Sequence, residues 1–177
     1  MTTKILERAA LTCIECIRIF NPMNTIPILT VTLPGTGKVL AAFGDEITVL
    51  LSGEQTGGAF AMVQLVTPPG GGPPPHYHNH EDEWFFVQEG RVEFFIEGVW
   101  KEVPAGTAAF LPRGVKHTFR NVGDTPLRML VHAAPAGFEV FFERMAGLFK
   151  EPAGPDMARV VEISAEHGIF YLEPGEA

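Results

Sequence analysis

The sequence has few of the residues that mark several large classes of protein. It contains only two cysteines among 177 residues, too few for the disulfide framework of a small secreted domain. Charged residues make up only 19% of the chain, and the net charge of -8 comes without a long run of lysine or arginine. This balance argues against nucleic acid and anionic membranes as partners, and it favours small neutral or aromatic ligands.

The sequence also lacks the roughly 20 consecutive apolar residues that a membrane span needs. The apolar stretch over residues 9–20 is interrupted by charged residues and is followed by no small-residue cleavage site, so we expect a soluble, cytoplasmic protein. We interpret residues 1–22 as a non-native or loosely packed extension. Cys13 and Cys16 lie within it, and a structural role for the pair is favoured over a zinc or redox role.

Short apolar segments alternate with turn sequences from residue 38 onward, a pattern typical of an all-β protein. The chain is long enough for one sizeable core, and 14 Phe, 15 Pro and 19 Gly fit aromatic strands and frequent turns. We count eight or nine strands, the number that a jelly roll needs. The expected strands include Ile47–Leu51, Ala59–Val66, Trp84–Gln88, Val92–Ile96, Val99–Val103, Thr107–Leu111, Lys116–Arg120 and Leu127–His132.

The spacing of apolar residues changes after Pro135. Aromatic and aliphatic residues then recur every three to four positions, which predicts an amphipathic helix packed on the strands. These residues are Phe138, Phe141, Phe142, Met145, Leu148 and Phe149. A second short helix is expected over Met157–His167. The predicted organisation is therefore an extension over 1–22, an arm with strands over 23–46, a β-barrel over 47–135, and a C-terminal helix and tail over 136–177.

Histidines and a glutamate are spaced as metal ligands on two of the strand-rich segments. Side chains two apart on a strand point to the same face, so His76 and His78 are expected to face one interior. Glu83 shares a face with Phe85, and an ionised carboxylate there is costly unless a cation compensates it. His117 lies on a later strand, and we expect it across the barrel from the other three. His80 follows His78 at the same spacing and could replace His76 in an overlapping pair.

Both segments resemble the two signature motifs of the cupin superfamily. The matching residues are Gly70, His76, His78, Glu83 and Gly90, followed by Gly106, Pro112, Gly114, His117 and Asn121. The wider sequence resembles bacterial single-domain proteins described as quercetin-dioxygenase-like. The resemblance implies a cupin (jelly-roll) β-barrel with a C-terminal helical segment, and it favours His76 and His78 over His80 as ligands. His80 is then expected in a loop or beside the metal site.

One divalent transition metal, Fe, Mn, Ni, Co, Cu or Zn, is expected on this nitrogen and oxygen donor set. The resemblance implies a dioxygenase acting on a small hydroxylated aromatic or enol substrate, with Glu83 as ligand and catalytic base. A non-redox isomerase, epimerase or decarboxylase and a non-enzymatic binding module are the alternatives. The pocket residues expected from the strands are Phe60, Met62, His80, Phe85, Phe94, Phe110, Phe119 and Met129.

A homodimer is also expected, because two of the predicted strands are apolar on both faces. Trp84–Val87 and Val92–Ile96 carry apolar side chains on both faces. A small barrel does not readily expose such surfaces to water. The segment before Ile47 is the part of the chain that we expect to pack against the second copy.

Overall fold

A computed structural model describes residues 26–96 and 98–172. Residues 1–22, with Cys13 and Cys16, lie outside the described residues, so the interpretation of that extension stays a prediction. Eleven strands and three helices are formed in the described ranges. The strands are β1 (Lys38–Ala42), β2 (Asp45–Leu51), β3 (Ala61–Thr67), β4 (His76–His78), β5 (Asp82–Glu89), β6 (Arg91–Ile96), β7 (Val99–Pro104), β8 (Ala108–Leu111), β9 (His117–Asn121), β10 (Leu127–Ala134) and β11 (Ile169–Tyr171).

The strands form two antiparallel sheets. One has six strands in the order β1-β2-β3-β10-β5-β8, and the other has five in the order β11-β4-β9-β6-β7. Buried and more exposed residues alternate along β3 and β10, so each strand gives one side to the core. The inward side includes Val63, Val87, Met129 and Val131, which are at most 1% exposed. The predicted all-β jelly roll is confirmed.

The C-terminal segment covers part of this core. Helix α2 (Phe138–Phe149) buries Phe138, Phe141, Phe142 and Met145 and contacts β1 and β3, which confirms the predicted amphipathic helix. Helix α3 (Met157–Glu166) begins at Asp156, whose side chain accepts hydrogen bonds from two backbone N–H groups, as is common at N-caps. In the described part of the chain, no helix has the length and apolar character needed to cross a membrane.

A tight turn joins β1 to β2. Phe43 and Gly44 are its two central residues, with φ of 58° and 86°, while Ala42 pairs with Asp45 across the hairpin. Positive φ at both positions is what a two-residue I′ hairpin turn requires. Phenylalanine seldom adopts this conformation, because its Cβ crowds the backbone. The Phe43 ring is held against Phe141 of α2, with 6.1 Å between ring centroids.

A short helix and the last strand complete the fold. Helix α1 (Gly53–Thr56) follows β2, and its N-terminal Gly53 N–H donates to the buried carboxylate of Glu139 on α2 over 2.6 Å. At the other end of the chain, β11 pairs with β4, with Ile169 opposite His78. The C-terminal tail thus becomes an edge strand beside the segment that carries two histidines.

Candidate metal centre

Four side chains from three strands meet inside the fold. His76 and His78 lie on β4, Glu83 on β5 and His117 on β9. Their candidate ligand atoms all lie within 4.8 Å of one another, and each residue is at most 8% exposed. The structure therefore brings together the four residues that the resemblance selected, with His76 and not His80 among them.

The arrangement of the four differs from the expectation in one respect. His117 was expected across the barrel from the other three, and this prediction is wrong. Strands β4 and β9 are neighbours, and His117 pairs directly with His76. Glu83 is the residue that comes from the other sheet, because β5 belongs to the six-stranded sheet. Residue alternation fixes the face of a strand but not its neighbour, so the sequence could not separate these arrangements.

The imidazole nitrogens converge on the Glu83 carboxylate. Glu83 Oε2 lies 3.1 Å from His117 Nε2 and 3.3 Å from His78 Nε2. Donor atoms bound at about 2.1 Å to one ion, and at right angles to each other, lie about 3 Å apart. The spacing of these atoms therefore suits a single small cation between them.

Hydrogen bonds to the second ring nitrogens orient two of the imidazoles. His76 Nδ1 lies 2.8 Å from the Pro74 carbonyl oxygen, and His117 Nδ1 lies 2.8 Å from that of Val115. A carbonyl oxygen can only accept, so each Nδ1 carries a hydrogen, and in the neutral imidazole Nε2 then has the lone pair. This is the tautomer in which Nε2 binds a metal.

The third imidazole faces a carboxylate on each side. His78 Nδ1 lies 3.5 Å from Glu81 Oε2, while His78 Nε2 faces Glu83. Both nitrogens of His78 and Oε2 of Glu81 are shielded from solvent and form no hydrogen bond within the described residues. Buried polar atoms without a partner are costly, and a cation at Nε2 would supply one of the missing partners. The three imidazoles and one carboxylate thus fit a divalent transition metal.

Burial and mutual charge control the protonation of these groups. Burial, with repulsion from His117 and His78, lowers the pKa of His76 to about 3, so this imidazole is neutral at neutral pH. Burial favours the neutral form of Glu83, but attraction to His78 and the hydrogen bond from His117 outweigh it and hold its pKa at about 2. Burial likewise disfavours charge on His78, yet Glu83 and Glu81 together raise its pKa. Glu83 is consequently an anion and His76 a free base, which are the forms that bind metals.

A cavity opens beside the four residues. Its volume is about 70 Å³ for the centres of water molecules. This is room for a few water molecules. Apart from His76, His78 and Glu83, the walls are formed by Phe43, Asp45, Leu65, Pro73, Pro74, Phe85, Phe119, Phe138, Phe141, Phe142, Ile169 and Tyr171.

Of the eight residues expected to form the pocket, Phe85 and Phe119 line this cavity. The other six lie elsewhere and are Phe60, Met62, His80, Phe94, Phe110 and Met129. Phe94 and Met129 are packed in the core, at 2% and 0% exposure. Phe110 points outward, because its neighbour Leu111 takes the inward position on β8. His80 is exposed in the turn after β4 and lies against Gly168.

Several cavity residues were not expected from the sequence. Phe138, Phe141 and Phe142 were recognised as one face of a helix, but that face covers the cavity and not only the core. Asp45 was missed because it follows the Phe43-Gly44 turn at the very start of its strand. Glu81, which lies behind His78 and not on the cavity wall, was also missed because it lies in a short connection, although it is only 4% exposed. The closeness of Glu81 to the histidines in the sequence was the signal that could have indicated its place beside the site.

The segment that carries the three histidines and the glutamate matches a known protein family. A model of the cupin domain family matches residues 63–133, from β3 to the end of β10. All four candidate ligands lie in this segment. The fold is a cupin fold.

Two solved cupin-like structures and one curated protein are similar to this chain. An RmlC-like cupin from Shewanella frigidimarina superposes with a TM-score of 0.54 at 19% identity, over 62% of this chain and 94% of that chain. The polyketide cyclase RemF from Streptomyces resistomycificus has a TM-score of 0.53 at 26% identity, over 60% and 80% of the two chains. Polyketide synthase CurC of Streptomyces cyaneus is 38% identical over 53 residues, which are 30% of this chain. The matched segment spans about a third of that protein, 34% of its length.

Proposed function

We propose that this protein is a metal-dependent dioxygenase acting on a small hydroxylated aromatic or enol substrate. The observation that carries the proposal is the position of the four-residue cluster at the wall of an aromatic cavity. His76, His78 and Glu83 face the same cavity as Phe85 and Phe119. A planar, mostly apolar substrate would therefore lie with its oxygen atoms beside the ion position.

The residues of the chain would have distinct roles in this reaction. A divalent metal held by His76, His78, Glu83 and His117 would supply Lewis acidity and, if it is redox-active, activation of dioxygen. The Glu83 carboxylate would accept the proton from the substrate hydroxyl, since a base must lie within hydrogen-bond reach of that proton. The aromatic walls would orient the ring and exclude water from the site.

Oxygen uptake tests this proposal. Protein loaded separately with iron, manganese, nickel and copper is mixed with pentane-2,4-dione as a small enol or with the flavonol quercetin as a larger one. Consumption of dioxygen in step with substrate loss, with at least one metal, is the expected result. Substrate binding without oxygen uptake under any of these metals would refute the dioxygenase.

A second function is favoured by the comparisons, namely metal-assisted ring closure of a polyketide-like substrate without a redox step. A polyketide cyclase and a polyketide synthase are both similar to this chain. Such substrates are also enols, so the same donor set would bind them. An extended polyketide exceeds the volume of this cavity, so its binding would need α2 to move outward. Turnover of a linear polyketone under anaerobic conditions would support this function over the dioxygenase.

We also propose that the protein forms a homodimer. Trp84, Phe86 and Phe110 are 39%, 45% and 53% exposed on the outer side of the six-stranded sheet. The rings of Trp84 and Phe110 stack with 4.9 Å between centroids, at the edge that ends in β8. A contiguous aromatic surface of this kind supports association with a second copy.

A further inference from the structure

Glu81 is a buried carboxylate beside the candidate metal centre that is not one of its four ligands. Its side chain is 4% exposed, and its Oε2 forms no hydrogen bond within the described residues. A buried charge normally has a partner, because the cost of removing it from water is large. The polar atom that approaches it is His78 Nδ1, at 3.5 Å.

The orientation of His78 connects Glu81 to the ion position. His78 Nε2 lies 3.3 Å from Glu83 Oε2, so the two ring nitrogens face two different carboxylates. With Nε2 bound to a metal, Nδ1 must carry the hydrogen, and Glu81 is placed to accept it. His76 and His117 already donate their Nδ1 hydrogens to backbone carbonyls. His78 alone among the three has an anion in that position.

The charges of the cluster lead to the same conclusion. As carboxylates, Glu81 and Glu83 would bring two negative charges to a metal-bound cluster, in which the three neutral imidazoles would carry none. One divalent cation would make this buried group neutral. Without Glu81, a divalent ion and its four ligands would together carry one net positive charge.

We propose that Glu81 is a positioning residue, which accepts the Nδ1 hydrogen of His78 and neutralises the loaded metal site. This inference rests on the proposed function only in requiring that the four residues bind a divalent metal. Carboxylates behind a ligating histidine orient the ring and raise its basicity, and their loss commonly lowers metal affinity 10- to 100-fold. Glu81 would thereby favour divalent cations and weaken the attraction of the loaded site for added anions.

Metal affinity in matched variants provides the first test. Cobalt(II) is titrated into the full-length metal-free protein, with the visible absorption of the bound ion as the readout. We expect Glu81→Leu to lower cobalt affinity on the order of 10- to 100-fold. Glu81→Gln should lose less, because its amide oxygen can still accept from Nδ1. Asp82→Asn is the control, since it removes the same charge from the adjacent residue, which lies outside the cavity in a salt bridge with Arg113.

Anion affinity provides the second test, measured as azide binding to the cobalt-saturated proteins. We expect Glu81→Gln to bind azide several-fold more tightly than the wild type, and Asp82→Asn to match the wild type. A loss of packing alone would not tighten azide binding. Unchanged cobalt affinity in Glu81→Leu, or unchanged azide affinity in Glu81→Gln, would overturn the inference while the metal site stood. Failure of the wild type to bind cobalt would instead overturn the metal site itself, and this inference with it.

Discussion

Replacing Asp45 with asparagine should make the protein more stable at neutral pH. Asp45 lines the cavity, and its Oδ1 is shielded from solvent with no hydrogen-bond partner in the described ranges. Burial raises the pKa of Asp45 from 3.8 to about 6, and the nearby Thr67 hydroxyl opposes the rise only in part. The ionised carboxylate therefore destabilises the native state, and a neutral amide of the same shape removes that cost.

The size and the pH dependence of the effect follow from the two pKa values. Between about pH 4 and pH 6 the native state keeps a proton that the unfolded state has released, so wild-type stability falls as pH rises through this window. Ionisation of Asp45 lowers the free energy of unfolding of the wild type by about 3 kcal/mol above pH 6. Roughly 1.3 kcal/mol of this loss develops between pH 5 and pH 7. For a chain of this length, about 3 kcal/mol raises the midpoint of thermal unfolding by about 6–12 °C.

Urea unfolding of both proteins, in the same metal state and from pH 5 to pH 8, measures this difference. Contributions from all other titrating groups cancel when the Asp45→Asn curve is compared with that of the wild type. Glu46→Gln is the control, because Glu46 is the next residue on β2 and is exposed. An Asp45→Asn protein that is less stable than the wild type, or whose advantage does not grow between pH 5 and pH 7, would refute the reasoning.

Three further predictions concern the metal centre and the outer surface. Glu83→Gln should lower turnover by about 100-fold or more, because it removes the general base. Metal content, measured by elemental analysis, should fall less than turnover. Equal losses of turnover and metal would make Glu83 a ligand only. His78→Ala should lose most of its bound metal and His80→Ala should keep it, since His80 is exposed in a turn; the reverse result would reassign the ligands. Phe110→Glu should convert a dimer into a monomer in light scattering, whereas a monomeric wild type would contradict the proposed dimer.

Local periodicity was sufficient for the all-β type of fold and for the inward faces of the candidate ligands, whereas the choice of His76 over His80 came from the resemblance to the cupin motifs. Alternation along β5 and β9 places Glu83 and His117 on inward faces whatever their neighbours are. The three-to-four spacing after Pro135 predicts α2 in the same way. The inward face of a strand and the apolar face of a helix are both determined within one element, so a single sequence can predict them.

The cavity could not be predicted in this way, because its walls depend on how distant elements meet. Phe43 and Asp45 reach it through a turn with an unusual backbone, while Phe138 and Phe142 reach it because α2 lies over the open side of the sheets. Phe110 was expected in the pocket because it lies on a predicted strand, although Leu111 takes the inward position. A one-residue error of parity moves a side chain to the opposite face of a sheet.

Glu81 illustrates the difference between a residue that is near a site in sequence and one that acts on it. In the sequence, Glu81 and Asp82 precede Glu83 in an acidic run, and nothing there distinguishes Glu81 from Asp82. The structure separates them, because Asp82 pairs with Arg113 outside the cavity, Glu83 faces three imidazoles, and Glu81 faces the back of one. Of these three residues, only Glu81 and Glu83 lie buried beside the imidazoles, so these two carboxylates would offset the charge of a divalent cation. The charge of the site is therefore set by burial, which the order of acidic residues in the sequence does not reveal.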